Sequence, residues 1–238
     1  QVEQVQPVLA QGLGLSRGEH RSDLAAHLGW ADFLRSRDGV AAPNPVPMFK
    51  TALADDPGNV YAHAMWAHNL SWTTRELNEA VLEHFAAAAK STRDRPWLRG
   101  IQFSVAFNRG AHYGYALVVA DQMRVAGETP DAAQRDQLWR YLVDGPLIQP
   151  QERDDVLNRL PPDSALATFE WLYPAAQTVA DRQPLHRFTL ALLRARVGQR
   201  DAARSDLESL HRQFVAEKMD SRLSRATAQL LAELRKPT

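Results

Sequence analysis

Apolar residues recur along the chain at helical spacing. Leu223, Ala226, Leu230, Leu231 and Leu234 sit at i, i+3 and i+4 intervals, with charged residues on the other side. Almost no stretch alternates with period two, so strands are not expected. Gly and Pro gather between the periodic segments, where they act as breaks. Read this way, residues 1–15 are ambiguous, because Pro7 and the Gly12/Gly14 pair interrupt them. Ser22 or Asp23 caps a helix to about Ser36, and a short helix follows over Met48 to Ala54. Asn59 caps Val60 to about Ser71, and Thr73 or Thr74 caps a helix to about Lys90. Pro96 opens a helix to about Asn108, followed by Ala111 to Val125.

The second half repeats the pattern. Helices are expected over Asp131 to Val143, Gln151 to Leu160, Ser164 to Tyr173 and Pro174 to Asp181. Three more run over Pro184 to Arg196, Asp201 to Glu217 and Ser221 to Arg235. The chain is therefore expected to be all-α, about twelve helices joined by short links as antiparallel hairpins.

A repeat underlies these hairpins. With Val60 as position 1, Trp66, Ala67 and Leu70 fall at positions 7, 8 and 11. Allowing one inserted residue, Ala80 and Ala87 fall at 20 and 27. A preceding unit supplies Leu28-Gly29 at positions 7 and 8, then Phe49, Ala52 and Pro57 at 24, 27 and 32. A following unit supplies Phe103, Ser104, Phe107 and Ala116. A fourth supplies Leu190, Ala191, Gly198, Ala203 and Leu207, with Arg194 where a large apolar residue is usual. These small and bulky positions resemble those of the tetratricopeptide repeat (TPR) family, in degenerate form.

The resemblance implies a single domain, a right-handed superhelix of antiparallel helix pairs, each burying its apolar face only by stacking on its neighbours. Its units would cover about 23–57, 60–92, 97–128 and 184–215. An irregular helical section would span 131–183, and a terminal helix, 221–235, would cover the last pair.

The resemblance also implies a binding face, lined by the first helix of each unit. The corresponding residues are Trp30, Phe33, Tyr61, Ala64, His68, Ser71, Trp72, Ile101, Asn108 and Arg109. This face is apolar and aromatic, unlike the Lys, Asn and Arg clamp that chaperone-binding members present to a terminal carboxylate. Aromatic anchors suit a protein or peptide partner. The same rings could instead be core, covered by residues 1–20 or by the irregular middle section.

Composition narrows the classes. The sequence carries 28 Lys+Arg against 28 Asp+Glu, which argues against a nucleic-acid binder or a polybasic membrane-surface protein. It has no Cys, so disulfides, thiolate metal sites and a cysteine nucleophile are excluded. No apolar run approaches the roughly 18–20 residues needed to cross a bilayer. Arg is abundant and Lys scarce, which genomic codon bias would explain.

Catalytic motifs are hard to find. Gly12, Gly14 and Gly18 mimic a dinucleotide loop, but the third glycine is one position late and no strand precedes it. His63 and His68 are five apart, and no helical metal-ligand pair stands out. No GxSxG elbow occurs. The expectation is a non-catalytic binding module without cofactor or metal. A ligand-sensing regulatory domain of a larger, membrane-tethered protein, and an all-helical enzyme drawing on His68, His112 and His186, are the alternatives. The absent initial Met and the absent Cys lean the expected compartment toward the bacterial periplasm over the cytoplasm.

Overall fold

The computed structural model describes residues 2–108, 112–130, 138, 150–172 and 184–236. Among them every regular element is an α-helix, and none is long and apolar enough to cross a membrane. The chain divides into two compact units, residues 1–110 and 111–238. The expected helices Asp131–Val143 and Pro174–Asp181 lie almost wholly outside the described residues, as does Arg109.

The first unit holds α1 (Val2–Leu15), α2 (Gly18–Arg37), α3 (Val46–Asp55), α4 (Val60–Thr74), α5 (Glu79–Ala89) and α6 (Arg95–Asn108). Helix α2 packs on α3 and also on α4; α4 packs on α5 and also on α6. Helix α3 also touches α4, and α5 touches α6, while α1 lies along α2. The core between the first hairpin and α4 is made of Ala25, Ala26, Phe49, Ala52, Ala62 and Met65. Alanines dominate it because the backbones approach closely. At Gly29 a Cβ would come within 3.0 Å of Met48 Cβ and 3.1 Å of the Pro45 carbonyl oxygen, so only glycine fits without movement.

Local chemistry explains most boundaries. Asn59 caps α4 by accepting the Ala62 N–H at 2.8 Å. The stretch that the sequence leaves ambiguous is a helix: α1 runs through Pro7, whose missing N–H withdraws one bond from the exposed Glu3 carbonyl. Two further boundaries differ from the sequence expectation. Helix α2 begins at Gly18, not at Ser22 or Asp23, because those side chains serve tertiary contacts. Ser22 Oγ donates to the Ala52 carbonyl, and Asp23 accepts from Asn59 and Arg93. Thr73 and Thr74 do not cap α5. Their hydroxyls donate back to the Asn69 and Leu70 carbonyls and extend α4, which closes at Arg75 in the left-handed region; Asn78 caps α5 instead.

The second unit holds α7 (Tyr113–Val125), α8 (Pro150–Leu157), α9 (Pro162–Leu172), α10 (Pro184–Arg196), α11 (Arg200–Ala216) and α12 (Arg222–Leu234). Helices α10 and α11 form a hairpin turned at Gly198, whose φ of 81° favours glycine. Helix α12 starts in a Ser221/Ser224 capping box and packs on both. Leu231 and Leu234 complete a core with Phe188, Ala191, Ala203, Leu207, Leu210 and Phe214. Arg194, the residue out of pattern, pairs with Asp206 of α11 and Glu170 of α9.

Candidate functional site

The aromatic residues of the first helices meet in two groups. In the first, rings from three helices run in series. His27 of α2 lies 4.9 Å from Tyr61 of α4, and Tyr61 lies 4.9 Å from Trp97 of α6. All three are half-buried. The guanidinium of Arg93, in the α5–α6 link, stands 5.1 Å over the Tyr61 ring and pairs with Asp23 and Glu19 of α2. The Tyr61 hydroxyl donates to Asp94 Oδ2 at 3.1 Å. Burial, with help from Asp94, raises the Tyr61 pKa, so the phenol stays protonated and a donor at neutral pH.

The second group lies further along the same helices. Trp30 and Phe33 of α2 are 5.2 Å and 5.5 Å from the ring of His68 of α4, and Phe33 meets Trp72 edge-on at 6.2 Å. His68 is 8% exposed, and no partner reaches its Nδ1. Burial, then the nearby Arg37 charge, pushes its pKa down to about 4, so it is a neutral ring at pH 7.

The ten residues expected to line the binding face thus divide. Phe33, Ala64, His68 and Ser71 are buried, and Ala64 is fully enclosed. Trp30, Tyr61, Trp72 and Ile101 keep part of their surface open. Asn108 closes α6, its side chain outside the described set, and Arg109 lies outside it altogether. Three residues of the strip, His27, Trp97 and Arg93, were not singled out by sequence. Trp97 lies one helical turn before Ile101, a residue of α6 assigned to the face.

Other candidate chemistry is dispersed. His112 precedes α7, half-buried and with its pKa lowered by burial. His186 is buried within α10. Among the described residues no group of three or more His, Asp or Glu is placed to hold a metal ion. No protein-family model matches the chain, no curated protein matches its sequence and no solved structure matches its fold at a significant level.

Proposed function

We propose that the chain is a TPR-like right-handed superhelical scaffold, non-catalytic, that binds a protein or peptide segment on the face formed by α2, α4 and α6. The order of packing supports the superhelix. Helix α2 touches α4 and α4 touches α6, while α3 and α5 each pack on the helix before and the helix after them. Stacked hairpins that contact only their neighbours pack in this order.

The observation that carries the binding reading is the His27–Tyr61–Trp97 series. It joins three alternate helices, α2, α4 and α6, in one half-exposed strip, with Arg93 fixed across its middle by Asp23 and Glu19. Rings already packed on one another lose little conformational entropy when a partner docks, which suits them as anchors.

The test begins with selection of 12-residue peptides from a phage-displayed random library against the intact chain. Affinities of the selected peptides are then measured by fluorescence anisotropy for the parent, Tyr61→Ala, Trp97→Ala and Arg93→Ala. Loss of about 1–3 kcal/mol, roughly 5- to 150-fold, in the two aromatic variants is expected. Circular dichroism confirms that each variant is folded. Peptides that bind all three folded variants as tightly as the parent would remove this face from the proposal.

A further inference from the structure

A second site lies on a different side of α2. Leu28, Asp32 and Arg35 follow one another at i, i+4 and i+7, around the helix from His27 and Trp30. With residues of α1 and of the stretch 43–48 they wall a cavity of about 760 Å³. Cavities of this size accommodate small organic molecules. Pro7, Leu28, Pro43, Pro47 and Met48 form its apolar wall.

The polar part of the lining is rich in N–H groups that the protein does not use. Two neutral oxygens hold Arg35: Nη1 donates to Gln6 Oε1 at 2.6 Å, and Nη2 donates to the Ala41 carbonyl at 3.2 Å. Each of these nitrogens carries a second N–H, and Nε is buried with no acceptor. Gln6 Nε2 gives one N–H to Asp32 Oδ1 and keeps the other. Asn44 Oδ1 accepts the Val46 N–H at 3.1 Å, and no acceptor among the described residues takes its Nδ2. Unused donors from α1, α2 and residue 44 thus belong to one cavity. The lining also holds two carboxylates, Asp32, which is 3% exposed and bonded to Gln6, and the exposed Glu3.

We propose that this cavity binds an uncharged carbonyl compound, its oxygen accepting from Arg35 and Gln6, with Asn44 as a further donor, and its apolar body against Leu28, Pro43, Pro47 and Met48. A ketone or amide oxygen brings two lone pairs and no charge. A hydrocarbon of the same shape displaces water from these N–H groups and returns no acceptor, which costs affinity. An ammonium has no lone pair to offer them. An anion gains Arg35 but meets Asp32 and Glu3 with like charge.

Titration of the 15N-labelled full chain at pH 7 with 4-phenylbutan-2-one, butylbenzene, 4-phenylbutylamine and 4-phenylbutyrate tests this, read at the side-chain N–H signals of Gln6, Arg35 and Asn44. The ketone is expected to bind roughly fivefold or more tightly than each of the others and to shift the Gln6 and Arg35 signals. Arg35→Met is expected to bring the ketone down to the level of butylbenzene. Because Arg35 also holds Gln6 of α1, Ala10→Trp provides a second arm. Ala10 is an exposed residue of the cavity wall, so the indole should block binding while the parent melting temperature is kept. N-acetyl-leucine methylamide, whose carbonyls are those of a peptide, separates two sources of the same chemistry. Tighter binding of this compound than of the ketone assigns the site to a peptide backbone, and weaker binding assigns it to small carbonyl compounds. Equal binding of ketone and butylbenzene, preference for the amine or the carboxylate, saturation that leaves the Gln6 and Arg35 signals in place, or no binding of either carbonyl compound overturns the proposal.

Discussion

His63 of α4 and His84 of α5 face each other Nδ1 to Nδ1 at 2.9 Å. The remaining contact fixes which ring donates. His63 Nε2 lies 3.0 Å from the Pro57 carbonyl, which can only accept, so His63 carries its proton on Nε2. Its Nδ1 is then an acceptor, and His84 must donate from Nδ1. The next proton can enter only at His84 Nε2. Burial, then the proximity of His63, pushes the His84 pKa down to about 4. Trp66 packs against the same ring at 4.5 Å. Long-range 15N–1H spectra at pH 7 should show the Nε2–H tautomer for His63 and the Nδ1–H tautomer for a neutral His84. The opposite pair of tautomers would contradict the hydrogen bond to Pro57.

His68 gives the first unit a second acid-sensitive point. Its folded pKa of about 4 lies below the unfolded value of 6.5. Between these values the unfolded chain binds the proton and the folded chain does not. Stability present above pH 6.5 is therefore lost as pH falls toward 4, and it levels off below. At about 1.4 kcal/mol per pH unit, the gap corresponds to roughly 3 kcal/mol for this ring. Urea denaturation of the chain should show a falling midpoint over that window. His68→Leu should flatten the fall without abolishing it, the other part belonging to His84 and His112. An unchanged slope in that variant would mean that water reaches His68.

These histidines also mark what a sequence can and cannot disclose. Periodicity and capping residues identified an all-helical chain, and they fixed α4 and α12 closely because Asn59 and Ser221 act on backbone within three residues. Thr73 and Thr74 misled because a hydroxyl near a helix end can bond backward as readily as forward. The candidate face was partly legible. Tyr61, Trp30 and Trp72 stood out by residue type and by their place on single helices. The partnership of Tyr61 with His27 and Trp97 was not legible, because it crosses 34 and 36 positions and depends on how three helices stack. Arg93 was missed for the same reason: the carboxylates that hold it, Glu19 and Asp23, lie at the other end of the unit's sequence.

Two helical glycines should respond oppositely to Ala. At Gly29 the added methyl meets Met48 Cβ, Phe49 Cε1 and the Pro45 carbonyl oxygen at 3.0–3.1 Å, and neither the Cβ nor the backbone oxygen can swing away. Overpacking of about 1–3 kcal/mol then exceeds the gain in helix propensity of about 1 kcal/mol. At Gly100, within α6, nothing lies within 4 Å of the new Cβ. Gly100→Ala should therefore stabilise by about 0.5–1 kcal/mol. Chemical denaturation of the two variants beside the parent checks both signs. A stabilised Gly29→Ala would show that α2 and α3 are further apart than a 3.0 Å approach to Met48 Cβ requires.

Asn59 holds together more of the first unit than any cap requires. Its Oδ1 accepts the Ala62 N–H, while its Nδ2 donates to Ser22 Oγ and Asp23 Oδ1, each at 2.8 Å. Ser22 in turn donates to the Ala52 carbonyl, so one side chain links the start of α4 to α2 and, through Ser22, to α3. Removing it loses an N-cap, about 1 kcal/mol, and deprives a buried hydroxyl of its donor, another 1–3 kcal/mol or so. Asn59→Ala should thus destabilise by about 2–4 kcal/mol. Asn59→Asp separates the two effects. It keeps the cap acceptor but loses both donors and sets a carboxylate beside Asp23, so it should rescue little at pH 7. Lowering the pH until one carboxylate takes a proton should restore part of the loss, measured against the parent at each pH so that the histidine effects cancel. Full rescue by Asp at neutral pH would show that Asn59 acts as a cap alone and that the link to α2 carries no energy.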